Sequence, residues 1–376
     1  MRRGRWVASR IVSLVRPWFD AAIGHLPENT RLWDAHTHTG QKDPDGVTGT
    51  AERLIEKLRG AAHSGAVVST NQDPNGYGEA NDRILTEAEN SEGALIPFLR
   101  VDPNEGAAAA VEVARSLDRG HRGIKLHPRA ENFTLNAPSL DAILRVASER
   151  AVPVLVHAGR RIPSLGRDAV DRCLSDPDLR LILAHAAISD LAWLGREANN
   201  IPGLYFDTSW WDITDLMALL AWAPPGRILH ASDTPYGHPE LACVLTIRAA
   251  VACRYDGSLL AAIVGQNLQR LLRGEDALQL QSPSSPKRLG VSLGLLRLHS
   301  HLNRAVVRAF ARLDVVEAVA LARLACDLPA SDSDATICAA IATTLGAIDP
   351  TATRGIVRPL IALAAAALTP EAPVPV

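Results

Sequence analysis

From Arg31 to Leu272, short aliphatic or β-branched runs alternate with longer stretches in which apolar residues recur at helical spacing, each bounded by polar, Gly or Pro positions. The runs Arg31–His36, Ala66–Thr70, Leu95–Arg100, Gly123–Leu126, Pro153–His157, Leu181–His185, Leu204–Thr208 and Arg227–Asp233 predict eight strands. Between them, Ala51–Ala62 carries Leu54, Ile55 and Leu58 on one face, and Leu140–Arg150 carries Leu140, Ile143, Leu144 and Ala147. Such stripes predict amphipathic helices that cover a parallel sheet. The strand ends at His36, Thr70, Arg100, Lys125, His157, His185, Thr208 and Asp233 recur at intervals of 23 to 34 residues, the length of a βα unit. Eight such units predict an α/β fold, a (β/α)8 TIM barrel over residues 31–278, with a doubly wound open sheet as its competitor. The barrel is preferred because polar residues gather at the C-terminal ends of many different strands, where a barrel builds its active site.

Two segments lie outside this pattern. Residues 1–30 place Val7, Ile11, Leu14, Val15 and Trp18 at helical spacing among arginines, which predicts a basic N-terminal amphipathic helix docked on the barrel, with membrane-surface contact as the alternative. Gln279–Leu289 is a Ser/Pro-rich break, and residues 287–376 then form an Ala/Leu-rich helical C-terminal extension whose only histidines are His299 and His301. The extension is expected to be structural or interactive and dispensable for chemistry.

Composition narrows the function class. Lys+Arg 39 against Asp+Glu 41 leaves a formal net charge of -2, so no basic field draws in nucleic acid. The five cysteines, Cys173, Cys243, Cys253, Cys326 and Cys338, form no C-x-x-C pair, which argues against a disulfide framework or a thiolate zinc site and for a reducing, cytoplasmic setting. The early arginines, at 2, 3, 5, 10 and 16, leave no uncharged run between them longer than Ile11–Val15, which argues against a secretory signal. The late apolar run Leu360–Leu368 is nine residues long, well short of the roughly 20 that span a bilayer.

The candidate chemistry sits at the strand ends. The first strand closes on Asp34-Ala35-His36-Thr37-His38, and strict alternation puts Asp34, His36 and His38 on one face, so that two imidazoles can share an ion. Val154-Leu155-Val156-His157 and Leu181-Ile182-Leu183-Ala184-His185 each stop at a histidine, and Ile228-Leu229-His230-Ala231-Ser232-Asp233 stops at a carboxylate. Core packing does not call for ligand-type residues there, and a divalent-metal site does. His127 is expected to be cut off from the site by Pro128, His230 to face the helices as a packing residue, and His63, His121 and His238 to lie on the surface or in loops. Arg129, Arg160 and Arg161 are candidates for holding a substrate carboxylate, and Trp210, Trp211 and Tyr236 for walling a flat or apolar pocket.

Together with Gly123-Ile124-Lys125-Leu126-His127-Pro128, Ala231-Ser232-Asp233-Thr234-Pro235 and the late Gly265-Gln266-Asn267, these motifs resemble the amidohydrolase superfamily, in its amidohydrolase-related TIM-barrel branch, over about residues 31–273. The resemblance implies a divalent ion, usually zinc, held by His36, His38, His157 and Asp233, with His185 beside the bound water. Imidazole and carboxylate donors also suit iron or manganese. Asp233 is expected to pass the water proton to the leaving group, His185 to orient the water or stabilise charge, and Asp34 to hold its neighbours through hydrogen bonds. An apolar aromatic residue is more usual in the family at the position of His230. Lys125 admits two readings: it points away from a single ion and holds a substrate carboxylate, or it is carboxylated and bridges two ions, with His185 as a further ligand.

The expected activity is hydrolysis of a C–N or C–O bond in a small amide, lactone, ester or cyclic compound. A metal-dependent decarboxylase or hydratase of a small carboxylic acid is the alternative, and a catalytically silent scaffold a minor one. The expected partner is a small-molecule substrate, with self-association left open and no integral membrane association.

Overall fold

The computed structural model describes residues 14–159, 162, 165–283, 290–352 and 355–370. Strands and helices alternate in the predicted order. The strands are β1 (Leu32–Thr39), β2 (His63–Thr70), β3 (Leu95–Pro97), β4 (Leu99–Arg100), β5 (Ile124–Leu126), β6 (Val154–Val156), β7 (Leu181–Leu183), β8 (Leu204–Asp207) and β9 (Ile228–Leu229). Each neighbouring pair is parallel. β3 and β4 are halves of one predicted strand, parted at Phe98, whose N–H still donates to Val68 O at 2.8 Å. Eight strand positions therefore remain. Past β9 the chain keeps contact with β1: Ala35 N–H donates to His230 O (2.8 Å), Asp233 N–H to His36 O (2.9 Å) and His38 N–H to Thr234 O (2.7 Å). These bonds join the last strand to the first and make the sheet a barrel.

Alternation along the strands sorts the core into two layers. Val67, Phe98, Leu155, Ile182, Tyr205 and Leu229 point inward and pack together with Leu268 and Leu271. Ile124, Leu126, Val154, Val156, Leu181, Leu183, Leu204, Phe206 and Ile228 point outward into the helical layer. Gly123 is required by this packing, because a Cβ there would lie 2.4 Å from the Phe98 ring. The covering helices include α2 (Ala51–Gly60), α3 (Gly78–Glu89), α4 (Ala107–Asp118), α5 (Asp141–Glu149), α6 (Gly166–Ser175), α7 (Leu191–Glu197), α8 (Ile213–Trp222) and α9 (Pro239–Ala252). Gly257–Leu272 then runs as α10 (Gly257–Ala261), a π-helical turn and α11 (Asn267–Leu272).

The flanks do not stand apart from the barrel. Of the predicted N-terminal helix, Val7 and Ile11 lie outside the described residues, but residues 14–23 are helical (α1) and bury Val15, Trp18, Phe19 and Ala22. The extension forms α12 (Leu293–Phe310), α13 (Val316–Ala325), α14 (Ala335–Gly346) and α15 (Val357–Leu368). Every residue from Pro359 to Leu368 is buried, with α8 and α9 of the barrel against α15 as well as α12 and α14. Alanines at 362 and 364–367 let these backbones approach closely. Arg248 of α9 fastens the end of α15 by donating from Nε to Thr369 Oγ1 (2.9 Å) and from the guanidinium to Thr369 O. One apolar cluster runs from the barrel's helical layer into α12–α15, so the extension shares the barrel's core. The reason is α9, whose residues Pro239–Ala250 are all buried, so its outer face needs a cover. Among the described residues no helix is long and apolar enough to cross a membrane.

Because the layers share one core, Leu363→Ala, at a fully buried position, should cost about 2–5 kcal/mol and lower the denaturation midpoint of the whole chain. A barrel transition that stays at its wild-type midpoint would show instead that α15 and the barrel unfold independently.

Candidate metal centre

The pair His36 and His38 is built by an irregularity in β1. Asp34 pairs with Ala66, but Thr37 pairs with Val68, so three steps of β1 face two of β2. This bulge changes the parity of the strand. Ala35 lies in the inward layer and His36 and His38 also reach the interior, whereas Asp34 sits opposite outward-facing Ala66. The expectation that Asp34 shares a face with the two histidines is therefore corrected. It is an extra residue in the strand that turns His36 inward. Asp34 instead accepts from the backbone N–H of His36 (3.1 Å) and of Ser232 (3.0 Å), across the seam between β1 and the segment after β9. Burial raises its pKa to about 7.

The other predicted residues converge on this pair. His36 Nε2 and His38 Nε2 are 3.0 Å apart, and Asp233 Oδ1 lies 3.5 Å and 3.2 Å from them. Lys125 Nζ is 2.7 Å from His36 Nε2, so the lysine is aimed into the site and not away from it. His157 Nδ1 and His185 Nε2 are 2.9 Å apart, while the buried Nε2 of His157 has no hydrogen-bond partner. His185 reaches the site by breaking its strand: His185, Ala186 and Ala187 take φ of 57°, 58° and 48°, a left-handed turn without glycine. Asp233 too has a positive φ, 56°. Gly159 makes room for the imidazoles, since a Cβ there would lie 2.7 Å from the His185 ring.

Orientation comes from a residue that sequence reasoning passed over. Asp207, fully buried at the end of β8, accepts from His36 Nδ1 through Oδ2 (2.9 Å) and from the backbone N–H of His185 through Oδ1 (2.8 Å). That carboxylate fixes the proton of His36 on Nδ1 and leaves Nε2 open. Ser209 O accepts from His185 Nδ1 (2.8 Å) with the same result, and Ser69 Oγ pairs with His38 Nδ1 (3.0 Å). An acidic residue inside the otherwise apolar run Leu204–Thr208 is the signal in the sequence that points to it.

Electrostatics favour open donors. Burial pushes the pKa of His36, His38 and His157 down, so each imidazole is neutral at neutral pH. Burial would raise Asp233, but the imidazoles of His36 and His38 outweigh it and hold the carboxyl at about 2. Burial also brings Lys125 down to about 8. Three donors with edges of 3.0, 3.2 and 3.5 Å match the roughly 3.3 Å edge of a tetrahedron with 2.0–2.1 Å bonds. The cluster thus fits a divalent cation, and the buried Nε2 of His157 is left without a hydrogen-bond partner.

The remaining candidates fall elsewhere. His127 stacks on His157 (centroids 3.9 Å apart, 11° between planes) and its Nδ1 accepts from Ala130 N–H, so it packs beside the cluster. His230 faces the helices, where it meets Thr246 of α9 at 3.2 Å and His63 at 3.1 Å. His63, His121 and His238 are all buried; His121 and His238 lie in loops as expected, before β5 and before α9, whereas His63 sits in a strand. His63 opens β2 beneath α9, and His121 closes onto Ser116 O (3.0 Å). Packing of that kind has no signature in local sequence. Arg160 and Arg161 lie outside the described residues. Arg129, Trp210, Trp211 and Tyr236 line cavities that open onto the site.

An amidohydrolase family model, Amidohydro_2, matches residues 33–274. No curated protein matches the chain. Among solved structures, 5-carboxyvanillate decarboxylase from Sphingomonas paucimobilis superposes with a TM-score of 0.52 at 14% identity, over 65% of this chain and 99% of its own. A 2,6-dihydroxybenzoate decarboxylase from Rhizobium gives 0.51 at 14%, over 65% and 99%. The 4-oxalomesaconate hydratase of Rhodopseudomonas palustris gives 0.51 at 14%, over 65% and 96%. At such identities these likenesses speak for the fold, and the family match, spanning more than half of the chain, makes it a member of the amidohydrolase superfamily.

Proposed function

We propose that the chain is a metal-dependent hydrolase that cleaves a C–N or C–O bond of a small amide, lactone, ester or cyclic compound. The observation that carries this reading is the convergence of His36 Nε2, His38 Nε2 and Asp233 Oδ1 within 3.5 Å of one another, at the mouth of a barrel. With His157, these residues would hold one divalent ion, zinc by preference given nitrogen and carboxylate donors. When bound, that ion lowers the pKa of a water towards about 7 and polarises a substrate carbonyl. Asp233, ionised throughout the neutral range, takes a proton from the attacking water and gives it to the leaving group. His185, with Nδ1 held by Ser209 O and Nε2 beside His157 Nδ1, is the residue that would orient the water. Asp207 keeps His36 in the tautomer the site needs.

A decarboxylase or hydratase acting on a small carboxylic acid is the second reading. It is favoured by Lys125 and Arg129, which line a cavity of about 440 Å³ beside Asp233 and His157; Arg100 in the same lining is paired with Glu131 (2.7 Å), and Asp43 and Asp45 are the lining's other carboxylates. Decarboxylation releases carbon dioxide without consuming water, so product analysis on amides, lactones and aromatic acids separates the two.

His36→Ala or His157→Ala should strip the metal and abolish turnover; full metal occupancy with near-normal rates in both variants would sink the assignment. Asp207→Asn keeps the shape but weakens the hold on His36, and should cost about 10–100-fold in metal affinity, read by competition with a chelator. For Lys125 the one-ion reading, in which its amine donates to the substrate, predicts one ion per chain with or without bicarbonate. His185→Asn should then keep the metal and slow turnover about 10²-fold. Two ions per chain that fall on Lys125→Ala would make Lys125 a carboxylated bridge and His185 a ligand.

A further inference from the structure

The residues around the metal cluster open onto two cavities with different linings. His157, Asp233, Arg129 and Tyr236 border both. One is the polar cavity over Lys125. The other, of about 310 Å³, is walled by Trp210, Trp211, Leu245, Phe310 and Ile361, with Arg358 also in its lining. Phe310, Ile361 and Arg358 belong to α12 and α15, in the extension that lies beyond the family match at residue 274. The Phe310 ring meets Trp211 edge-on, centroids 5.3 Å apart and 67° between planes, yet keeps 45% of its surface exposed.

Charge sharpens the picture. Asp233, beside the two histidines, is the one carboxylate among the described residues lining this cavity, whereas Arg129 and Arg358 are two arginines of that lining, Arg358 with the Glu240 carboxylate near it outside the cavity. An aromatic and aliphatic wall with guanidiniums in it suits an apolar molecule carrying an anionic group. We infer that the C-terminal extension completes the substrate site, and that the substrate is an apolar, aromatic-sized carboxylate whose body lies against Trp211, Phe310 and Ile361 and whose anion is held by Arg358. The scissile group then reaches the cleft between His185 and Asp233. A volume of about 310 Å³ is at the small end of ligand pockets, roughly 300–1,000 Å³, which limits the body to one or two rings.

The assignment rests on the hydrolase reading for what happens at the metal, but its test does not need turnover. Binding of 2-naphthoate, its neutral amide 2-naphthamide and acetate is measured calorimetrically on the full-length chain, with metal content determined on the same samples. Naphthoate should bind more tightly than either of the others. Phe310→Ala should weaken naphthoate about tenfold and leave acetate unchanged, and Arg358→Gln should bring naphthoate down to the level of the amide. Circular dichroism of each variant checks the fold, and Ile361→Val serves as a milder probe of the same wall if Phe310→Ala is unstable. Equal binding of naphthoate and acetate, or naphthoate affinity unaltered in folded Phe310 and Arg358 variants, overturns the inference. If the chain holds no metal and yet binds naphthoate in this residue-dependent way, the hydrolase reading fails and the substrate site stands. If it holds metal and turns over amides while the variants bind as wild type, only the inference fails.

Discussion

The seam where the segment after β9 meets β1 is the constraint on which the site depends. Three backbone bonds of 2.7–2.9 Å link Ala35, His36 and His38 to His230, Asp233 and Thr234. Asp34 adds a carboxylate that accepts from both sides of it. Closure of the sheet and assembly of the donor cluster are consequently one event. His36 and His38 come from the first strand and Asp233 from the last, almost two hundred residues apart in the chain, and they meet only when the barrel is shut. The bulge at the end of β1 belongs to the same device, because the added residue turns His36 inward at the height where Asp233 arrives.

Much of this was legible beforehand, and for identifiable reasons. Buried parallel strands read as short apolar runs, so all eight strand positions and the ligand-type residues ending four of them stood out in the sequence. What escaped were departures from regularity and contacts between distant segments. Strict alternation misplaced Asp34, since a bulge leaves no mark on composition. Asp207 was passed over because its partners, His36 and the backbone of His185, are far from it in sequence. The burial of His63 and His238 follows from the cover of α9 and α15, which depends on how the helices stack and not on any local pattern.

The left-handed turn after β7 shows a balance between fold and chemistry. Strict alternation past inward-facing Ala184 would send His185 out to the helices. Three consecutive residues with positive φ swing it back, at a cost of roughly 1–2 kcal/mol for each non-glycine residue. Asp207 and Ser209 hold the imidazole once it is there, through bonds of 2.8 Å to its backbone and side chain. Conformational strain at a residue that faces the cavity is offset by hydrogen bonds from the next strand, a division found where geometry serves reactivity over stability.

The position of α15 bears on how the protein is made. Val357, Arg358 and Ile361 line the apolar cavity, and they follow the last barrel strand, β9, at a long distance in the chain. During synthesis from the N-terminus, the barrel strands emerge well before the helix that finishes the pocket. Until α15 docks, the nascent barrel presents the apolar flank of α9 to its surroundings and lacks one wall of its pocket. Chaperone contact would fall on that flank, and small molecules would meet a finished pocket only after α15 has docked.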